Sequence, residues 1–155
     1  MKKTKRLMKK ILFLLLTVFS ISCGLISSSN EPTELWLTDV KQAVELSNET
    51  GKPIFAFFTG KQWCSWCKKL ERQILSQEVF VNFAKENLIL LELDFPRGSR
   101  DLPLEQIKLA RKFQIKGYPT VILMDGKTNM LGKTGYEYMT PEEYVAHIKK
   151  MIPSN

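Results

Sequence analysis

The chain has 155 residues, enough for one domain with its own hydrophobic core. Its composition, 44% hydrophobic and 25% charged, is that of a globular protein and excludes a disordered or low-complexity chain. The formal net charge of +7 would suit a nucleic-acid-binding protein, but residues 1–22 carry +6 of it and contain no acidic residue. The rest of the chain has 17 basic and 16 acidic residues, so we expect no nucleic-acid partner.

The N-terminus has the pattern of an export signal. Basic residues in the first ten positions precede the apolar run ILFLLLTVFSI, residues 11–21. These 11 residues match the core of a secretory signal peptide and fall short of the roughly 20 apolar residues that a membrane-spanning helix needs. We predict a signal peptide over residues 1–22, and an uncleaved membrane anchor is the alternative.

The cleavage site can be interpreted in two ways. Ser20-Ile21-Ser22 fits the small-x-small rule for ordinary secretory cleavage after Ser22. Cys23 follows and begins a polar tether over residues 23–33. The residues that lead up to Cys23 resemble the lipobox of bacterial lipoproteins, although Ser20 stands where leucine is usual. We expect Cys23 to be lipidated, with ordinary secretion as the alternative. Both routes take the protein out of the cytoplasm, into a compartment in which disulfides persist.

Helix and strand patterns alternate through the predicted domain, residues 34–155. Thr38 can cap a helix over residues 39–48, and Gly51 can end it. The apolar run PIFAFF, residues 53–58, is typical of a strand that is buried on both faces.

The following segments continue this alternation. The stretch WCSWCK opens a helix that reaches about Leu75, and Ser76 then caps a second helix. Thr140, Pro141 and Glu143 give the last helix a capping box and a proline at its first position. The elements between them are a strand over residues 88–95, a loop over 96–103, a helix over 104–113, a strand over 120–124, a turn over 125–129 and a weak strand over 130–132.

The order of these elements indicates the fold class. Buried strands that are joined by helices pair in parallel, and the late hairpin adds an antiparallel edge to the same sheet. We therefore predict a three-layer α/β domain, with a mixed parallel and antiparallel sheet flanked by helices.

Two cysteines lie where a strand gives way to a helix. Cys64 would occupy the helix N-terminus, where free backbone N–H groups and the helix dipole stabilise a thiolate, the form that attacks disulfides. Cys67 lies one turn later on the same face and can attack a mixed disulfide formed on Cys64. Trp63 and Trp66 would give the pair apolar flanks. This pattern points to reversible disulfide exchange.

The cysteine pair has two simpler interpretations, a zinc site and a purely structural disulfide. A zinc site needs about four ligands, and the chain offers one CxxC and one histidine, His147, so we expect no metal. A purely structural disulfide would close a very short loop and would stabilise the fold little. The structural disulfide stays open as an alternative.

Two motifs resemble one known family. WCSWCK after a hydrophobic strand, with GYPT at residues 117–120, resembles the thioredoxin superfamily, in particular its exported disulfide oxidoreductases, the DsbH-like group and related lipoproteins. The resemblance covers roughly residues 34–152 and implies a thioredoxin-like fold. It implies that Cys64 attacks a substrate disulfide, that Cys67 resolves the mixed disulfide, and that no cofactor beyond this pair is needed.

The resemblance also implies a substrate-binding edge. Pro119 would be a cis-proline beside the active site, and Tyr118 and Thr120 would offer backbone groups to an extended substrate segment. The active-site motif is completed by Trp63, Ser65 and Trp66.

The sequence departs from cytoplasmic thioredoxins in two respects. The residues between the cysteines are Ser-Trp instead of Gly-Pro, so the redox potential cannot be carried over. Thioredoxins also keep a buried aspartate in the strand before the motif, whereas residues 54–58 contain no acid. Deprotonation of Cys67 must use water or another group, and Glu71 and Lys68 are the candidates.

Together these features predict a periplasmic thiol–disulfide oxidoreductase that reduces substrate disulfides and is lipid-anchored or otherwise secreted. Its partners would be disulfide-containing exported proteins and a membrane thiol donor of electrons. We expect a monomer that meets the membrane only through its signal peptide or lipid anchor. A disulfide isomerase or oxidant of the same fold is one alternative. A non-enzymatic lipoprotein interaction module with a structural disulfide is the alternative of another class.

Overall fold

Five strands and five α-helices make up residues 35–99 and 101–153, the part of the chain that the computed structural model describes. The strands are β1 (Trp36–Leu37), β2 (Ile54–Thr59), β3 (Ile89–Asp94), β4 (Thr120–Met124) and β5 (Met130–Thr134). The helices are α1 (Val40–Thr50), α2 (Ser65–Leu70), α3 (Glu78–Asn87), α4 (Leu104–Lys112) and α5 (Pro141–Lys149). A π-helix over Glu71–Leu75 continues α2.

The predicted signal peptide (1–22), tether (23–33) and lipidation site Cys23 lie outside the described residues. Within the described ranges, no helix is both long enough and apolar enough to cross a lipid bilayer.

The strands form one mixed sheet in the order β1-β3-β2-β4-β5. β3 pairs in parallel with β1 and β2, whereas β4 pairs antiparallel with β2 and β5. The parallel pair β2 and β3 is joined through α2 and α3, as a crossover connection requires. The predicted three-layer α/β domain with a mixed sheet is confirmed.

The core lies on both faces of the sheet because β2 and β4 are buried along their whole length. Phe55 and Phe57 of β2 point to the layer that contains α2, α3 and α5. Ile54, Ala56 and Phe58 point to the layer that contains α1 and α4. A strand with apolar partners on each side needs no polar positions, which explains the unbroken run of apolar residues.

Several predicted helix ends are confirmed. The capping box of α5 is present: the Thr140 hydroxyl accepts the Glu143 N–H at 3.2 Å, and the Glu143 carboxylate accepts the Thr140 N–H at 2.8 Å. Gly51 ends α1 in the left-handed conformation with φ of 72°, which a residue without Cβ adopts at little cost.

Two predicted caps are wrong. α1 is capped by Asp39, whose carboxylate accepts the N–H groups of Lys41 at 2.7 Å and Gln42 at 3.1 Å, while Thr38 precedes the cap. Ser76 ends the π-helix by donating its N–H to Glu71, so α3 starts one residue later without a side-chain cap. The two-residue strand β1 was not predicted because so short a segment shows no periodicity.

We predict that Asp39→Ala lowers the free energy of unfolding by about 1 kcal/mol, the usual loss for a removed N-cap. Thr38→Ala is the matched control, and we expect it to change that free energy by less than about 0.5 kcal/mol, since Thr38 is exposed. Urea unfolding of both variants measures the difference. Equal losses would contradict the assignment of the cap.

Candidate active site

The turn after β2 places the first cysteine. The carbonyl of Gly60 accepts the N–H groups of Trp63 at 2.9 Å and Cys64 at 2.8 Å, which turns the chain directly into α2. Gly60 is buried beneath the Trp63 indole, and a Cβ atom at residue 60 would overlap that ring. The position therefore requires glycine.

Cys64 is the N-cap of α2, and its backbone is extended. Its sulfur accepts the backbone N–H of Cys67 at 3.1 Å, so one of the free N–H groups of the helix start already points at the sulfur. A thiolate there gains from that hydrogen bond and from the helix dipole. The predicted position of Cys64 at a helix N-terminus is confirmed.

Cys64 and Cys67 form a disulfide, with their Cα atoms 5.3 Å apart. Cys64 is 5% exposed and Cys67 is fully buried, so Cys64 is the more accessible of the two cysteines. The attacking role of Cys64 and the resolving role of Cys67 stay predictions, and the difference in exposure agrees with them.

Trp63 ties the active-site turn to the end of β3. Its indole N–H donates to the carbonyl of Phe95 at 2.9 Å, and its ring meets Tyr118 edge-on with centroids 5.6 Å apart. Phe95 in turn packs on Tyr118 at 5.4 Å. Three segments that are distant in sequence therefore hold each other beside the disulfide.

The GYPT segment lies at the same edge of the sheet. Thr120 pairs with Phe58 in the β2–β4 register, so Pro119 is one residue beyond the paired region, next to the active-site turn. The Tyr118–Pro119 peptide bond is cis, and the Thr120 hydroxyl donates to the carbonyl of Gly117 at 2.8 Å. The substrate-binding role of this segment stays a prediction.

The remaining motif residues lie on the solvent side of the pair. Ser65 is exposed at the first position of α2. Trp66 is 47% exposed and packs against Tyr136, with ring centroids 5.2 Å apart, and against Tyr138 at 6.5 Å. We did not predict that these two tyrosines, which follow β5, would join the site.

A cluster of charged groups surrounds a cavity of 230 Å³ on the α2 side of the sheet. Lys61 contacts both carboxylate oxygens of Glu92, at 2.8 and 3.1 Å, and this hydrogen bond raises the pKa of Lys61. The backbone N–H of Lys61 donates to Asp94 at 2.7 Å. Glu71 also lines this cavity, and partial burial, followed by the nearby Glu92 charge, raises the pKa of Glu71.

Glu71 lies one helical turn after Cys67, and its N–H donates to the carbonyl of Cys67. Residues four apart share a helix face, so Glu71 lies on the same face as the buried Cys67. Lys68 instead turns away and donates to the carbonyl of Gln62 at 2.9 Å. Of the two candidate proton acceptors for Cys67, the geometry favours Glu71.

Among residues 35–99 and 101–153, no group of three or more His, Cys, Asp or Glu side chains could hold a metal ion. The redox group is the disulfide of the protein itself.

The thioredoxin-like family profile matches residues 35–126. The chain belongs to this family. It is 34% identical to the disulfide bond reductase DsbH of Chlamydia pneumoniae over 115 residues, which cover 72% of this chain and 69% of that protein. The predicted resemblance to the DsbH-like group of the thioredoxin superfamily is confirmed.

Solved structures agree with this assignment. A DsbH oxidoreductase superposes with a TM-score of 0.68 at 33% identity, covering 75% of this chain and 82% of that one. A thioredoxin from Thermus thermophilus superposes with a TM-score of 0.59 at 18% identity, covering 74% and 84%. The second match shows the shared fold alone. The predicted thioredoxin-like fold is confirmed.

We predict that Glu71→Gln removes a pH dependence of stability. Because the pKa of Glu71 is raised in the folded state, the folded protein holds this proton more tightly than the unfolded chain. The wild type therefore loses stability as the pH rises from the ordinary value of 4.5 through the raised one. The variant should gain stability relative to the wild type between pH 4 and pH 8.

Urea unfolding of the oxidised proteins across this pH range measures the gain. Glu86→Gln, at an exposed position of α3, is the matched control and should follow the wild type. If the free energies of unfolding of Glu71→Gln and the wild type differ by the same amount at every pH, burial does not raise the pKa of Glu71. If Glu71 accepts the proton of Cys67, the same variant should also resolve a mixed disulfide more slowly, whereas Glu86→Gln should not.

Proposed function

We propose that the protein is an exported thiol–disulfide oxidoreductase that reduces disulfide bonds in other exported proteins. The observation that carries the proposal is the arrangement of the cysteine pair: Cys64 at a helix N-terminus and slightly exposed, Cys67 fully buried, and the cis-proline segment at the same sheet edge. The relative named as a disulfide bond reductase, at 34% identity, supports the direction.

The proposed reaction starts from the reduced pair. The Cys64 thiolate attacks one sulfur of a substrate disulfide, so a mixed disulfide forms and the other substrate sulfur leaves as a thiolate. Cys67 then loses its proton, attacks the Cys64 sulfur, and releases the second substrate thiolate. Two electrons pass to the substrate, its two thiolates take up protons, and the Cys64–Cys67 disulfide remains.

A reductase must be reduced again after every turnover. The N-terminal export pattern places the domain outside the cytoplasm in our proposal, either lipidated at Cys23 or secreted into the periplasm. Cytoplasmic reductants do not act there, so the electrons would come from a membrane-embedded dithiol protein that exchanges with the Cys64–Cys67 pair. We propose that the domain acts as a monomer, because a single CxxC site is sufficient for this exchange.

We predict that Cys64→Ser abolishes insulin reduction, because the attacking sulfur is gone. We expect Cys67→Ser to lose turnover while it accumulates a covalent mixed disulfide, because the second attack cannot occur. Non-reducing gels and mass spectrometry detect the trapped complex. Cys23→Ser is the matched control and should retain full activity in solution.

Other outcomes of this experiment would contradict the proposal. Full activity of Cys64→Ser would exclude the assigned attacking role. If dithiothreitol cannot reduce the wild-type pair, the disulfide is structural, and the protein is then better described as a non-enzymatic interaction module. A refolding assay on a scrambled substrate compares the three reactions. If disulfides form faster than they are reduced, an oxidant is favoured. If they rearrange faster than they are reduced, an isomerase is favoured.

A further inference from the structure

Each tryptophan that precedes a cysteine of the pair carries a cation on its ring. The Lys69 ammonium lies 4.9 Å from the ring centroid of Trp66, and it is 4.9 and 5.2 Å from the rings of Tyr136 and Tyr138. The Arg97 guanidinium lies 4.7 Å from the ring of Trp63. We call these the lysine cluster (Lys69, Trp66, Tyr136, Tyr138) and the arginine cluster (Arg97, Trp63, Tyr118).

The two clusters lie on opposite sides of the active-site turn. The arginine cluster takes its cation from the loop after β3, and the lysine cluster takes its tyrosines from the segment after β5. In the sheet order, β3 and β5 are three positions apart, with β2 and β4 between them. Neighbouring strands are about 4.8 Å apart, so these strands are separated by roughly 14 Å. An extended chain covers that distance in about four residues.

Both cations remain available to a carboxylate. Arg97 is exposed, and the outer faces of the lysine cluster, Trp66 and Tyr138, are 47% and 83% exposed. Within the described part of the chain, neither Lys69 nor Arg97 forms an ion pair, whereas Lys61 does so with Glu92. Three rings surround the half-buried Lys69 ammonium, and one ring covers the exposed Arg97 guanidinium. The rings limit the motion of each cation and leave its solvent-facing side for an anionic ligand.

We propose that the two clusters bind carboxylate side chains of an extended substrate segment, one on each side of its cysteine. The inference rests on the proposed function, since it concerns the segment that presents its disulfide to Cys64. The separation of β3 and β5 sets the spacing in this proposal: the preferred substrate has one acidic residue before and one after its cysteine, about four positions apart. The surface would thus select acidic segments of exported proteins over basic ones.

The expected size of the effect follows from the exposure of the sites. Solvent-exposed ion pairs contribute modestly, so one contact changes a rate by a factor of about 1.5 to 5 and two contacts by about 2- to 25-fold. Such a preference weakens as salt screens the charges, and it acts mainly on the rate of encounter.

The test uses the full chain, reduced with dithiothreitol, and short peptides whose single cysteine is blocked as a mixed disulfide with mercaptoethanol. One peptide has Asp at both positions −2 and +2 around the cysteine. Others have Asn or Lys at those positions, or have both Asp residues moved to one end. The neutral hydroxyethyl disulfide measures exchange without a peptide. Oxidation of the pair is followed by tryptophan fluorescence at low and high salt.

We expect the Asp peptide to react about 2- to 25-fold faster than the Asn peptide at low salt, and the Lys peptide to react more slowly than both. The ratio of the Asp to the Asn peptide should fall towards one at about 1 M salt, where screening is nearly complete. The K69Q/R97Q double variant should show a ratio near one at every salt concentration. Because the ratio is taken within each protein, a change in the reactivity of Cys64 cancels.

The matched control is R111Q/K112Q, which removes the same charge from the last turn of α4. Lys112 also lies over an aromatic ring, 5.7 Å from the centroid of Phe113, but it hydrogen-bonds Thr128 in the turn at the opposite edge of the sheet. This control should keep the wild-type ratio and the wild-type rate with hydroxyethyl disulfide.

Three results would overturn the inference while the proposed function stands, provided that the protein exchanges with hydroxyethyl disulfide. The first is an equal rate for the Asp and Asn peptides. The second is a loss of the Asp preference in R111Q/K112Q as large as that in K69Q/R97Q. The third is a rate for the peptide with displaced Asp residues equal to that of the peptide with Asp at −2 and +2. The last result would show that net charge is recognised without any spacing. Failure to exchange with any of these disulfides would overturn the proposed function as well.

Discussion

The pairing of β2 with β3 on one side and β4 on the other holds the active site together. All six residues of β2 are buried, so the strand cannot shift without exposing apolar side chains on both faces of the sheet. Its pairing with β4 brings the cis Tyr118–Pro119 bond beside the active-site turn, and its pairing with β3 brings the carbonyl of Phe95 within reach of Trp63. The position of the central strand therefore determines which groups lie beside the disulfide.

The chemistry follows from where that strand ends. Gly60 allows a tight turn under the indole of Trp63, and the turn delivers Cys64 to the start of α2, where a backbone N–H faces its sulfur. The helix then carries Cys67 into the core and Glu71 to a small cavity that is lined by both charged and apolar side chains. A slightly exposed Cys64, a fully buried Cys67 and a carboxylate-bearing residue on the same helix face are suited to attack, resolution and proton transfer.

Local signals in the sequence predicted much of this. The burial of β2, the capping box of Thr140 and the place of Cys64 at a helix start each depend on neighbouring residues, and all are confirmed. Thr38 and Asp39 are adjacent and are both good caps, so residue preference alone could not choose between them. The approach of Arg97 and the tyrosines after β5 to the two tryptophans depends on strand order, which no local pattern encodes.

The central claim is that the pair donates electrons to substrates, and the reduction potential of Cys64–Cys67 tests it most directly. Equilibration of the full chain with glutathione or dithiothreitol buffers, followed by quantification of the reduced fraction, gives this value. We expect a potential close to that of thioredoxin, about −270 mV, at which the reduced pair can reduce most exposed protein disulfides. A potential near that of the strong periplasmic oxidant, about −120 mV, would contradict it, because the pair would then donate its disulfide.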